Sequence, residues 1–207
     1  MIYENYDRIK KTIGEVNLLV VSKHQSEDKI IELYNHGIRE FGENRTEELK
    51  VKKNNLPNDI KWHFIGRIQS KKIRDIVKCA ALIHSVDSLK ALRLINKEAN
   101  KINKVQEILI QLNISHEESK TGFNRQDVET ILLESKQLAN VKVLGLMTMA
   151  PNTNDKAVLE NVFKQMKECY DFYDFSILSM GMSNDYKIAI EYGSNLIRVG
   201  TMIFKGA

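Results

Sequence analysis

No apolar run in this chain approaches the length needed to cross a bilayer, so a helical membrane anchor is not expected. The opening MIYENYDRIKKTIG is charged and amphipathic, unlike a secretory signal, and a cytoplasmic location is the expectation. Cysteine is scarce. Cys79 and Cys169 form neither a C-x-x-C pair nor a disulfide framework, which excludes a stapled secreted scaffold and suits a reducing compartment. Low-complexity linkers and internal repeats beyond a strand-helix unit are also lacking. Lys and Arg exceed Asp and Glu by only 31 to 27. The densest basic group, Arg67, Lys71, Lys72, Arg74 and Lys78, has helical spacing and no interleaved aromatics, so it reads as a solvated helix face rather than a nucleic-acid footprint.

What the chain does have is alternation. Leu18-Leu19-Val20-Val21, bounded by polar residues, fits a strand buried on both faces. Ser26 is the expected N-cap of the helix that follows. The pattern repeats with strands expected at 38–41, 62–65, 81–86, 107–112, 141–147, 176–178 and 196–199. Helices are expected to begin near Glu43, Ser70, Asp87, Asn124, Asp155 and Ser183. Strict alternation implies a parallel sheet, and eight strands in 207 residues imply one closed (β/α)8 TIM barrel over residues 1–207. Little sequence follows the eighth strand, so the helix from Tyr3 to Ile13, closed by Gly14, is expected to replace the eighth outer helix. An open doubly wound sheet would normally carry a Gly-rich turn after its first strand, and here that turn reads Ser22-Lys23-His24-Gln25-Ser26.

In such barrels the working groups stand at the C-terminal strand ends. These offer Lys23, Glu43, Asn44, Arg67, Asn113, Met147, Thr148, Ser179 and Arg198. With strand periodicity Lys23 shares a face with Leu19 and Val21. A lysine carried to the rim of a barrel interior loses hydration, which lowers its pKa and yields the neutral amine that attacks carbonyls. The loops after strands seven and eight contain Ser179, Gly181, Ser183, Gly200 and Thr201, hydroxyls and glycines suited to a phosphate. A phosphate anchor beside an amine leaves two chemistries open: a sugar-phosphate aldolase or a pyridoxal phosphate site. Arg198 shares strand parity with Leu196 and points inward, either to a cofactor ring or to a rim carboxylate.

Taken together these residues resemble the pyridoxal phosphate homeostasis proteins, also called the YggS or PROSC family, whose barrel is similar to the N-terminal domain of alanine racemase. The matching stretches are Val21-Ser22-Lys23, Phe41-Gly42-Glu43-Asn44, Trp62-His63-Phe64-Ile65-Gly66 with Gln69 and Lys72, and Asn113-Ile114-Ser115 with Lys120 and Gly122. They continue with Gly145-Leu146-Met147-Thr148-Met149, Ser179-Met180-Gly181-Met182-Ser183 with Asp185, and Gly193-Ser194 with Arg198-Val199-Gly200-Thr201 and Ile203-Phe204. Lys71, where the family usually has Asn, and Lys205, within the usual Ile-Phe-Gly ending, depart from the pattern.

The resemblance implies that Lys23 forms the internal aldimine with pyridoxal 5'-phosphate, that Ser179, Ser183, Gly200 and Thr201 hold the phosphate, that Arg198 faces the ring nitrogen and that Asn44 lies beside the ring. Met147 completes the candidate cofactor set; no catalytic residue and no metal ligand is expected. The implied function is a non-catalytic carrier that buffers the cofactor, with pyridoxal-phosphate-dependent apoenzymes as recipients. An amino-acid racemase and a Schiff-base aldolase remain the alternatives. Alanine racemase takes its opposite base from a second domain of a partner chain, and this sequence holds no such domain, so significant catalysis is not expected. The absence of long apolar heptads or an exposed aromatic stripe makes a monomer the default.

Overall fold

In the computed structural model, which describes residues 1–115 and 121–205, eight parallel strands close into a barrel in sequence order. They are β1 (Asn17–Val21), β2 (Glu40–Glu43), β3 (Lys61–Phe64), β4 (Leu82–Val86), β5 (Gln106–Leu112), β6 (Val141–Thr148), β7 (Ile177–Ser179) and β8 (Leu196–Val199). Between them run α2 (Glu27–Asn35), α3 (Thr46–Asn55), α4 (Ile73–Cys79), α5 (Leu89–Asn100), α6 (Val128–Lys136), α7 (Lys156–Asp171) and α8 (Tyr186–Glu191), with α1 (Ile2–Ile13) before β1 and the short α9 (Thr201–Phe204) after β8. Closure is made by β1 lying beside β8, in register from Asn17 with Leu196 to Val20 with Val199. The motif residue Lys120 lies outside the described residues. Among the described residues no helix is long and apolar enough to cross a membrane.

Strand alternation sorts the core into two compartments. Outward residues such as Val20, Phe41, Trp62, Phe64, Ile83 and Ile108 pack with Ile30, Leu33, Leu49, Ile76, Leu92 and Phe163 from the helices, and all are at most 1% exposed. Inside the barrel a separate cluster joins Leu82, Leu109 and Met147, flanked by Leu144 and Ile177. Gly42 makes room there. A Cβ on it would stand 3.1 Å from Leu19 Cδ2 and 3.5 Å from Ile65 Cδ1, so a larger residue would crowd fully buried Leu19.

The N-terminal helix takes the expected outer position between β8 and β1. Its Ile9 and Ile13 are buried, Asn5 Nδ2 donates to the Ile203 carbonyl at 3.0 Å, and the Ile2 amide donates to Glu32 Oε1 at 2.9 Å, which ties α1 to both α9 and α2.

Several element boundaries differ from expectation, each for a local reason. The second strand runs from Glu40 to Glu43 rather than 38–41, and its helix begins at Thr46 rather than near Glu43. A 3-10 turn over Ser70–Lys72 precedes α4, and another, over Arg125–Asp127, precedes α6; the latter has a capping box between Asn124 and Asp127. The α5 N-cap is Ser88 rather than Asp87, because the Ser88 Oγ accepts the Ala91 amide at 3.2 Å. The helix expected from Ser183 begins at Tyr186. Asp185 takes the N-cap place, and its carboxylate reaches back to the Met182 amide at 2.5 Å, closing residues 182–185 into a turn.

Candidate functional site

At the C-terminal mouth of the barrel a cavity of ≈ 480 Å³ is lined by residues from several strand ends, a size suited to a small organic ligand. Lys23 comes from the turn after β1, Asn44 follows β2, Gly66 and Arg67 follow β3, and Arg198, Gly200 and Thr201 come from β8 and the start of α9. Met182 to Asp185 supply the wall after β7. Of the eight candidate residues, six therefore share one cavity: Lys23, Asn44, Ser183, Arg198, Gly200 and Thr201. Met147 and Ser179 do not line it. Both are fully buried, Met147 in the apolar cluster inside the barrel and Ser179 beneath the cavity floor, where its hydroxyl is engaged by Arg198 and His84. The expected phosphate contact through Ser179 would therefore have to reach below the lining, since β7 ends on this residue with its side chain inside the barrel.

Lys23 also departs from one expectation. The β1 ladder ends at Val21 and the chain turns, with the Gln25 amide donating to the Ser22 carbonyl at 3.1 Å. The Lys23 side chain is exposed to the open cavity instead of being desolvated against the rim.

The cavity is electropositive. Lys23, Arg67 and Arg198 face it, against the carboxylate of Asp185, whose pKa burial raises. Ser183 and Thr201 add hydroxyls. Gly200 passes so near β1 that a Cβ would stand 2.7 Å from the Val21 carbonyl oxygen, which requires glycine at this close approach. Asn44 Oδ1 is buried at this wall and has no hydrogen-bond partner among the described residues, an acceptor left for a ligand donor.

Arg198 is 4% exposed and spans the floor. It donates to Ser179 Oγ at 2.6 Å and to the Thr148 carbonyl at 2.9 Å. Burial lowers its pKa to about 10, which leaves it cationic at neutral pH. From Ser179 a polar thread descends the barrel interior. Ser179 Oγ lies 3.1 Å from His84 Nδ1, His84 Nε2 lies 3.0 Å from His63 Nδ1, and His63 Nε2 lies 3.9 Å from a carboxylate oxygen of Glu40 at the opposite mouth. The proton positions follow from what each atom can do. Arg198 can only donate, so Ser179 Oγ accepts from it, and the arrangement that also uses the Ser179 hydrogen directs it to His84 Nδ1. His84 then carries its hydrogen on Nε2 and donates to His63 Nδ1, and His63 directs its own Nε2 hydrogen toward Glu40. Burial lowers the His63 pKa to about 4, with a lesser effect from Lys61, and places His84 well below its usual value.

Sequence reasoning missed the wall after β6, residues 149–153, which completes the cavity. It also left His84 unremarked; the available signal was a polar side chain on the inward parity of a strand otherwise reading Leu82-Ile83-Ser85-Val86. Among the described residues no cluster of His, Cys, Asp or Glu could hold a metal ion.

Comparison with known proteins places this geometry in a family. The sequence matches the family described as "Alanine racemase, N-terminal domain" over residues 1–207. It is 38% identical over 194 residues to the pyridoxal phosphate homeostasis protein of Aquifex aeolicus, covering 90% of this chain and 85% of that one. It is 36% identical over 208 residues to the protein of the same name from Synechocystis, covering 96% and 95%. PipY of Synechococcus elongatus, solved without PLP, superposes with a TM-score of 0.93 at 31% identity over 99% of this chain and all of that one; its form with PLP bound gives 0.90. An alanine racemase of Clostridium difficile shares the fold at a TM-score of 0.80 and 16% identity, this chain spanning 56% of that one. By sequence and by fold, the chain belongs to the pyridoxal phosphate homeostasis proteins, in the alanine racemase N-terminal-domain family.

Proposed function

We propose that the cavity binds pyridoxal 5'-phosphate through a Schiff base on Lys23, and that the chain is an intracellular carrier and buffer of this cofactor rather than an enzyme. The observation that carries the reading is the convergence of Lys23, Arg198, Ser183, Gly200 and Thr201 on one cavity. The residues fit the group. An amine faces a space of ligand size, the positive excess suits a phosphate dianion, and the unpartnered Asn44 oxygen can accept from a ring hydroxyl. When bound, the cofactor supplies an aldehyde that an amine can hold covalently.

The chain's own groups divide the remaining work. Thr201 and Ser183 donate to the phosphate, and Lys23 presents the nucleophilic nitrogen. Arg198, fixed by Ser179 and Thr148, is set against the ring nitrogen and keeps a proton off it, because a neighbouring cation disfavours a second positive charge. An unprotonated ring nitrogen is a weak electron sink, which favours storage over chemistry at an amino acid's α-carbon. Recipients are apoenzymes that use the cofactor.

Borohydride reduction of the protein incubated with pyridoxal 5'-phosphate, followed by peptide mapping, tests the reading: the label is expected on Lys23. Thr201→Val is expected to weaken binding by roughly 1.5–3 kcal/mol, the range for a hydrogen bond to a charged group, measured by titration. Phosphate-free pyridoxal binding as tightly as the phosphorylated form would refute the phosphate assignment. Incubation with L-amino acids in deuterated water separates carrier from enzyme. Rapid Lys23-dependent deuterium incorporation at the α-carbon would favour the racemase reading instead.

A further inference from the structure

The turn that presents Lys23 is gripped from behind the barrel wall, on both sides of the lysine. On its N-terminal side Ser22 is fully buried, and its Oγ donates to Glu43 Oε1 at 2.7 Å. The Ser22 carbonyl accepts from Lys52 Nζ at 2.9 Å. On its C-terminal side His24 adopts a left-handed backbone conformation with φ 60°, unfavourable for a residue with a Cβ. The His24 amide donates to Glu48 Oε2 at 2.8 Å, while its ring Nδ1 lies 3.2 Å from Glu48 Oε1. Lys52 joins the two sides. Its ammonium group, 6% exposed, reaches Glu43 Oε1 at 2.7 Å and Glu48 Oε2 at 3.4 Å in addition to the Ser22 carbonyl.

A buried ion pair is weak evidence of stability, since replacing both partners with apolar residues is often neutral or favourable. What distinguishes this one is where its spare capacity goes. Lys52 has three hydrogens and three acceptors, and one of those acceptors is the backbone immediately before Lys23. Glu48 spends its carboxylate on the backbone immediately after Lys23, at the one position where the turn is strained. Lys23 itself is exposed.

We propose that Lys52 and Glu48 are positioning residues for Lys23: they fix the turn from which its amine meets an aldehyde, and their contacts single out Lys23 over Lys52 as the reacting lysine. The inference rests on the proposed function. In the step concerned, the neutral Lys23 nitrogen adds to the aldehyde carbon and a C–N bond forms. The carbonyl oxygen then leaves as water with the two amine hydrogens. Lys52 does not compete, because its nitrogen is buried against the Ser22 carbonyl, Glu43 and Glu48 and does not line the cavity.

The test separates the aldehyde from the rest of the ligand. Pyridoxine phosphate carries an alcohol in place of the aldehyde, so it reports on the cavity alone. Glu48→Gln is expected to slow imine formation with pyridoxal 5'-phosphate, followed by the rise of visible absorbance, by about tenfold, while the affinity for pyridoxine phosphate stays within about twofold. The double variant Glu43→Gln with Lys52→Met removes both buried charges together and is expected to behave alike, which keeps the test open should Glu48→Gln fold poorly. Lys52→Arg should restore most of the rate. Unchanged imine kinetics in both variants, or equal losses with both ligands, would overturn the positioning role. A wild-type chain that binds pyridoxine phosphate yet forms no imine would instead sink the proposed function and this inference with it.

Discussion

Lys23→Ala is expected to abolish the visible absorbance acquired with pyridoxal 5'-phosphate and to leave no borohydride-stable label, while retaining measurable phosphate-dependent affinity. Both halves follow from how the cavity is divided. Among the described residues Lys23 is the single lysine on its lining, whereas Arg198, Ser183 and Thr201 come from the β7 and β8 ends and do not depend on it. Lys52, which touches the Ser22 carbonyl just before Lys23, is 6% exposed and donates to three oxygens, so it cannot take over as nucleophile. The measurement is a pair of titrations, by absorbance for the covalent component and by calorimetry for the whole. An unchanged visible spectrum would remove Lys23 from its role.

Acidification is expected to weaken the fold through the histidine thread. Burial holds the His63 pKa near 4, below the unfolded value of 6.5, so the unfolded chain binds the proton more readily in that interval. The contribution is complete above about pH 6.5 and is lost as the pH falls toward 4, on the order of 3 kcal/mol for His63 alone. His84, lowered further by burial, His63 and Arg198, acts in the same direction. Glu43 and Asp185 act in the opposite direction, because burial raises their pKa values and acid relieves them. Denaturant unfolding from pH 7 to pH 4 is therefore best read as a difference between the wild type and a His63→Gln, His84→Gln double variant. The variant should show the flatter acid limb; parallel profiles would show that the thread does not titrate as described.

The barrel was legible because each strand announces itself locally. Four aliphatic residues, Leu18 to Val21, mark β1, the β8 parity puts Leu196 and Arg198 on one face, and both hold in the structure. The hydroxyls and glycines at consecutive strand ends were legible as residue types, and Ser183, Gly200 and Thr201 do line one cavity. Three things were not. Ser179 has the residue type of a phosphate ligand, yet β7 stops with its side chain inward, and only the Arg198 and His84 partners show that it is occupied. Lys23 was placed on strand periodicity that ends two residues before it, which is why its expected burial failed. Glu48 and Lys52 are an i,i+4 pair on a charged helix, the pattern of an ordinary solvated face, and α3 turns them instead toward the back of β1.

The pairing of β1 with β8 has a further consequence for how the site comes into being. The proposed nucleophile Lys23 follows β1, while Arg198 lies on β8 and Gly200 and Thr201 directly follow it. Until that seam zips, an emerging chain exposes a lysine with no anion pocket beside it, and a reactive aldehyde finds there only an ordinary amine. Such first-to-last closure is the slowest kind of contact to form. Ligand capture as proposed thus requires β8 to have joined β1, and a chain cut before β8 would lack Arg198, Gly200 and Thr201 however well its first strands had paired.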